Sequence, residues 1–381
     1  MSRRRPVFSL ALEYSLALPL GALIALVWAN TFIVSYYRVA HALEFAVDDV
    51  GMVFFFALAA KEVVEATAPG GALHTWRRAA LPVIAAAGGM IVPALFYVLY
   101  VRHANESGLL HGWAIPCATD IAFSYLVAKA VFGRHPAIPF LLLLAIADDA
   151  LGLVILAVFY PASGELHLLI AALLMAAALL VAVGLRRARV RSFWPYLLTA
   201  GTLSWSALFV GGLHPALALV PIMPFLPHAA RDPGLFVAAP PGARDTLSRF
   251  EHQWTIPVQV VLFLFGLANA GVPLHGYGTG TWAVLVGLVA GKPIGIGIAV
   301  ALGVAAGFRL PRGIEWRDVM VVGCASGIGF TVALFFAKAS FSQGSMLDET
   351  KIGALLSLGS AACAVLTAKL LRAGTFRVAG P

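Results

Sequence analysis

Leu144-Ala-Ile-Ala-Asp-Asp-Ala-Leu-Gly152 places two adjacent carboxylates, Asp148 and Asp149, in the middle of an apolar run from Ala137 to Tyr160. A run of this length spans a hydrocarbon core of about 30 Å as one helix. An ionised side chain at the centre of such a helix costs about 2.5–3.5 kcal/mol even on the insertion scale. Two side by side also repel each other. Structural economy does not explain the pair, which therefore implies an ion or proton pathway through a membrane.

Composition agrees. Of 381 residues, 61% are hydrophobic and 12% charged, against roughly 45–50% and 25% in soluble domains. With a mean hydropathy of +0.90, the chain is predicted to be an all-α polytopic membrane protein. Its net charge of +8 is explained by loop charge, so no nucleic-acid partner is expected; the bilayer is. Cys117, Cys324 and Cys363 lie in apolar segments without metal or disulfide spacing. Met-Ser-Arg-Arg-Arg precedes a full-length apolar segment and reads as a tail inside the cell, not a cleaved signal.

Apolar runs fall at 8–30, 44–64, 79–101, 112–133, 137–160, 167–185, 194–210, 212–226, 252–270, 281–307, 316–339 and 350–371, about twelve transmembrane helices. With the N-terminus inside, the inner segments carry twenty Lys and Arg and the outer ones four, Arg38, Arg102, Lys338 and Lys351. This asymmetry predicts that both termini are cytoplasmic. Residues 1–381 read as a single transporter domain, membrane-embedded over about 8–371. Residues 228–251 form a cytoplasmic loop between its halves.

Within the spans lie Asp120, Asp148, Asp149 and, less deep, Glu13, with one clear basic partner, Lys292. Asp148 and Asp149 differ by about 100° around a helix axis. One is free to face an aqueous cavity while the other faces a neighbouring helix and Lys292. Burial and mutual repulsion disfavour the doubly ionised pair, so it can hold protons or a cation near neutral pH, with titrations that belong to the pair. Lys292 reads either as a structural counter-ion or as a proton carrier. Its setting, Gly291-Lys-Pro-Ile-Gly295, is not a phosphate loop.

Two spans are interrupted. In Trp113-Ala-Ile-Pro-Cys-Ala-Thr-Asp-Ile-Ala-Phe-Ser124, Pro116 removes a backbone donor and Thr119 and Asp120 follow. Freed carbonyls, a hydroxyl and a carboxylate are hard oxygen ligands for a small cation, although a plain proline kink is an equal reading of that segment. In Gly323-Cys-Ala-Ser-Gly-Ile-Gly-Phe-Thr331, Gly327 and Gly329 weaken the helix, and Ser326 and Thr331 supply hydroxyls. These are the fourth and eleventh spans, each in the middle of a three-helix group. That pairing predicts inverted repeats whose two discontinuous helices, 4 and 11, cross at the midplane. Their half-helix ends would leave partial charges, which Asp120 and Lys292 suit.

At these residues the chain resembles the NhaA family of bacterial sodium/proton antiporters. The likeness rests on Ala80-Leu-Pro-Val-Ile-Ala-Ala-Ala-Gly-Gly-Met-Ile-Val-Pro-Ala94, Gly112 to Phe123, the Asp148-Asp149 stretch, Phe265 to Val272, and Ser326-Gly-Ile-Gly-Phe-Thr331, in that order. Inverted repeats are a known feature of that family, so agreement on them is not independent. The resemblance implies a secondary transporter, not an enzyme, in the inner membrane. It implies electrogenic extrusion of sodium or lithium against more than one proton, regulating internal pH and sodium, with no cofactor. It implies Asp149 as the principal cation ligand, Asp148 as its proton-linked partner and Thr119 beside the Na+. Asp120 would balance the crossed helix ends and Lys292 would pair with Asp148. His214, Glu251 and Glu62 fall where the family has groups tied to pH response.

Two departures stand out. The run Ala57-Leu-Ala-Ala-Lys-Glu-Val63 keeps Lys61 and Glu62 but lacks an earlier acid of the family's cytoplasmic mouth. The connection from Thr31 to Glu44 is too short for the β-hairpin that joins subunits in the family's dimer, so a homodimer is left undecided. The alternative within transport is an ion-coupled carrier of another substrate, such as an organic anion; deep basic residues to bind one are limited to Lys129 and Lys292. An intramembrane aspartyl protease needs Tyr-Asp and Gly-x-Gly-Asp settings, and Ala147 and Thr119 stand before Asp148 and Asp120 instead.

Overall fold

A computed structural model describes residues 17–71, 73–74, 76–161, 167–228, 245–341 and 343–376. Glu13 and most of the expected 228–251 loop lie outside them. Among the described residues the chain is helical, with turns and no strand. The helices are α1 (Ala17–Thr31), α2 (Ile33–Glu44), α3 (Met52–Thr67), α4 (Trp76–His103), α5 (Ile121–Phe132), α6 (Ala137–Phe159), α7 (Leu168–Arg187), α8 (Thr202–Val210), α9 (Thr246–Asn269), α10 (Thr279–Leu285), α11 (Lys292–Ala305), α12 (Trp316–Ser326), α13 (Phe330–Ser340), α14 (Ser345–Leu356) and α15 (Ser360–Leu370). Wider π turns join α2 to α3 (Phe45–Gly51) and α10 to α11 (Val286–Gly291), so each pair continues as one long rod.

Five helical stretches are long and apolar enough to cross a membrane, seven when each of two bent pairs counts as one. These include α4, α6, α7 and the α10–α11 rod. Leucines 169, 173 and 180 of α7 point outward, as lipid-facing side chains do. The protein is a membrane protein.

Small residues decide which helices touch. A Cβ on Gly88 of α4 would meet the Ala299 Cβ at 2.3 Å, and one on Gly295 of α11 would meet the Gly88 carbonyl oxygen at 2.2 Å. The two backbones therefore pack without intervening side chains, as small residues allow between membrane helices. Gly21 of α1 and Gly266 of α9 do the same, at 2.1 Å from the Phe263 carbonyl and 2.5 Å from that of Leu18.

Three expectations are corrected. Residues 212–226 do not form a spanning helix; they make two short 3-10 turns, Pro215–Leu217 and Met223–Phe225. Pro215, Pro221 and Pro224 each lack a backbone donor, and an apolar run with that many gaps cannot close a helical ladder. The loop between the halves also ends earlier than expected: α9 starts at Thr246, capped by Asp245 through the Ser248 N–H at 2.8 Å, so Glu251 is helical. The stretch from Thr31 to Glu44 is helix α2 over most of its length, not a bare connection.

Candidate functional site

The site is built where two broken helices meet. The short turn Ile115–Cys117 holds Pro116 in its first turn, and the chain runs extended from Ala118 to Asp120 before α5 begins. The bend between the two pieces is 53°. In the second pair, α12 ends at Ser326 and α13 starts at Phe330, with a bend of 50°. Gly327 and Gly329 lie in that gap because nothing larger fits. A Cβ on Gly327 would stand 2.6 Å from the Leu288 carbonyl oxygen, and one on Gly329 3.1 Å from that of Ala118. The Asp120 N–H donates to the Ile328 carbonyl at 2.7 Å, joining one break to the other.

Asp120 sits where two helix N-termini converge. Its carboxylate accepts from the Phe123 N–H of α5 at 3.3 Å and from the Thr331 N–H of α13 at 3.3 Å, and the Thr331 hydroxyl donates to it as well. One negative charge thus answers the positive ends of both half-helices. The opposite, carbonyl-bearing ends are served separately. Lys292 Nζ donates to the Cys117 carbonyl at 2.6 Å, Ser124 Oγ to that of Ala325 at 2.8 Å and Ser360 Oγ to that of Gly327 at 3.1 Å. In a medium without water, such partners are what permit a broken helix at all.

The aspartate pair divides as the helix angle requires. Asp148 turns into the protein: its Oδ2 lies 2.8 Å from Lys292 Nζ and accepts from Thr119 Oγ at 2.5 Å, and Lys292 also donates to Thr119 Oγ at 2.5 Å. Both charged residues of this ion pair are buried. Asp149, one residue on, turns about 100° away. It is partly exposed and makes no hydrogen bond or ion pair among the described residues. It lines a void of about 20 Å3 shared with Thr119, Asp148 and Phe56. It also lines a cavity of about 230 Å3 shared with Thr119, Asp120, Glu62, Glu251, Thr255 and Gln259. The structure thus brings together Thr119, Asp120, Asp148, Asp149 and Lys292, with Pro116, Gly327 and Gly329 shaping the breaks around them. A carboxylate without a partner, backed by a second carboxylate and a hydroxyl, is a set of hard oxygens able to exchange a small cation for protons.

At the far end of the larger cavity, Lys61 of α3 is ringed by carboxylates: Glu65 at 2.6 Å, Glu251 at 2.8 Å and Glu62 at 3.3 Å. Glu62 and Glu251, picked out separately in the sequence, share this one lysine. Glu65 was missed. The signal was available, since Glu65 lies four residues after Lys61 and so on its helix face. His214 is elsewhere. Its ring packs 4.7 Å from that of Phe335, and Nδ1 lies 3.9 Å from Asp49, in the π turn before α3. The hydroxyl of Thr255 and the amide of Gln259 were also missed; in a helical run they carry no signal except that they are polar.

Comparison with known proteins gives the family of the chain. Residues 8–371 match the family described as Na+/H+ antiporter 1. The chain is 46% identical over 370 residues to the Na(+)/H(+) antiporter NhaA of Geotalea uraniireducens (strain Rf4), covering 94% of this chain and 95% of that one. It is 43% identical over 380 residues to the NhaA of Desulfitobacterium hafniense (strain DSM 10664 / DCB-2), covering 97% of each. Among solved structures it resembles the sodium proton antiporter MjNhaP1 from Methanocaldococcus jannaschii at pH 8. The TM-score is 0.56 at 15% identity, over 94% of this chain and 92% of that one. This last likeness is one of fold.

Proposed function

Because this chain belongs to the Na+/H+ antiporter 1 family, we propose that it exchanges sodium for protons across a bacterial inner membrane, with Asp148 and Asp149 as the shared binding site. It is a secondary transporter and not an enzyme. The observation that carries the assignment of the site is the unequal pairing of the two carboxylates: Asp148 clamped by Lys292 at 2.8 Å, Asp149 free beside a cavity.

Sodium enters from the side of Lys61, which the loop charges assign to the cytoplasm, along the wall formed by Glu62, Glu251, Thr255 and Gln259. It meets Asp149 first, since that carboxylate has no competing partner. The second carboxylate and the Thr119 hydroxyl complete an oxygen shell, and drawing Asp148 toward the cation loosens it from Lys292. Once the site faces outward, the ion leaves and protons refill it, so that sodium and protons compete for the same oxygens. Two protons carried inward for each sodium carried outward move one net positive charge inward, which makes the exchange electrogenic. Lithium, a harder and smaller cation, fits the same ligands. Lys292 serves this cycle as a fixed counter-ion or as a second proton carrier. Around the site, inverted repeats would let one half of the helices rock against the other.

The test uses everted membrane vesicles holding an acid-inside proton gradient, to which sodium, lithium or potassium is added from mildly acidic to alkaline pH. Sodium and lithium should collapse the gradient with the wild type and not with Asp149→Asn at equal expression. A well-expressed wild type that answers no cation at any pH would sink the exchange reading. A fully active Asp149→Asn would sink the assigned site.

A further inference from the structure

On the other side of the aspartate pair the route is plugged. The ring of Phe56 on α3 lies 4.9 Å from that of Phe335 on α13, which lies 6.1 Å from that of Phe265 on α9. All three are buried, and Phe56 also lines the void at Asp149. Each of these helices, or for α3 the π turn that leads into it, carries a polar group outward of its plug aromatic. Asn269 follows Phe265 by four residues, Lys338 follows Phe335 by three, and Asp48 precedes Phe56 by eight, about 12 Å along the axis. Beyond them lies an open cavity of about 480 Å3, whose walls include Glu44, Asn269, Lys338, Asp348 and Lys351; Asp48 stands behind that wall, joined to it through Asn269.

The charges in this place are not arranged for stability. Lys338 is taken by Glu44 at 2.6 Å. Asp48 is buried, and Asn269 Nδ2 donates to its Oδ1 at 2.8 Å, but its Oδ2 is buried with no partner. Lys351 is only 7% exposed, lines the cavity, and makes no ion pair or hydrogen bond among the described residues. A structural carboxylate at this depth would have both oxygens satisfied. Lys351, buried in the neighbouring cavity wall, does not close on it.

We propose that Asp48, oriented by Asn269, is an outer way-station for the transported cation, the first carboxylate the ion meets on leaving the plug and the last on returning. The inference rests on the exchange reading above and adds a residue to its route. The empty Oδ2 is the ligand. Lys351, in the wall of that cavity, keeps the ion's stay short, since a site on a transport path must bind weakly enough to release. Asp48 binds the cation in passing and does not hold the exchanged protons.

Asp48→Asn keeps the shape and the Asn269 contact while removing the charge. Sodium-driven exchange is measured in everted and in right-side-out vesicles, and equilibrium sodium binding is measured on purified protein by calorimetry. The expected result is a fall in Vmax/KM of about tenfold, the worth of one carboxylate's attraction at a dielectric between water and protein surface. The fall should be equal in both orientations, because the station lies on the way out and on the way in. Equilibrium affinity should not change, and Asp48→Glu should restore the rate. A wild-type Vmax/KM in Asp48→Asn overturns the way-station. So does an equilibrium affinity that falls in step with Vmax/KM, which would make Asp48 a support of the Asp149 site. If Asp48→Asn does not reach the membrane, Asn269→Ser, which loosens the carboxylate, decides by the same comparison. A wild type without exchange in either orientation removes the exchange reading itself.

Discussion

Replacing Lys292 with methionine deletes a buried ammonium and keeps most of the side-chain volume. That ammonium donates to the Cys117 carbonyl at 2.6 Å, to Thr119 Oγ at 2.5 Å and to Asp148 Oδ2 at 2.8 Å. In Lys292→Met, Asp148 keeps only the Thr119 hydroxyl, and its Oδ1 already lacks a partner. Removing one member of a buried ion pair costs about 3–5 kcal/mol, because the other charge is left without compensation. Replacing both members by neutral groups leaves no such charge, so Lys292→Met combined with Asp148→Asn should cost under about 2 kcal/mol. The two substitutions are therefore coupled by at least about 1 kcal/mol in a double-mutant cycle, the double variant being more stable than the Lys292→Met single. The assay is unfolding of purified protein in detergent at neutral pH, for wild type, both singles and the double. Strict additivity, or a Lys292→Met variant as stable as wild type, would refute the reasoning. It would mean that the 2.8 Å contact joins uncharged groups.

Three further outcomes are expected. Thr331→Val removes the hydroxyl that donates to Asp120. The loss of a hydrogen bond to a charged acceptor should lower stability by about 1.5–3 kcal/mol, read as a lower unfolding midpoint, with Thr331→Ser near wild type. Gly295→Val forces a side chain into the Gly88 carbonyl oxygen, 2.2 Å from even a Cβ. It should separate α4 from α11 and leave little folded protein in the membrane, checked by detergent-resistant size-exclusion profile; a normal profile would show that the glycine contact is dispensable. Sodium at about a hundred times its dissociation constant should stabilise the wild type by about 2.7 kcal/mol. The rise in midpoint should vanish in Asp149→Asn, and an equal rise in both would place the bound ion elsewhere.

Much of this was legible in the chain because a membrane makes charge expensive. Asp148, Asp149, Asp120 and Lys292 are conspicuous only against an apolar background, and the 100° between neighbouring helical residues lets one aspartate face a partner while the other faces a cavity. Pro116 and the Gly327–Gly329 pair marked both breaks, since each weakens a helix by a local mechanism. Residues 212–226 misled for the converse reason: hydropathy measures composition, and three prolines decide backbone pairing. Glu251 reads as loop in the sequence because polar residues run on into the first turns of α9.

What the sequence determined by itself, then, is local: which stretches are apolar, where helices break, and which buried charges need an explanation. Only the tertiary structure decided partnership. That Asp120 receives the N-terminus of α13 as well as that of α5, that Lys292 reaches from α11 to the Cys117 carbonyl and Asp148, and that Lys61 gathers Glu62, Glu65 and Glu251 depends on helices far apart in the chain. The same holds for Asp48, which looks like one more acid at a span end until α9 brings Asn269 to one of its oxygens and leaves the other empty. Electrostatic pairing is set by distances of a few ångströms in three dimensions, and no periodicity along one helix encodes what stands opposite it.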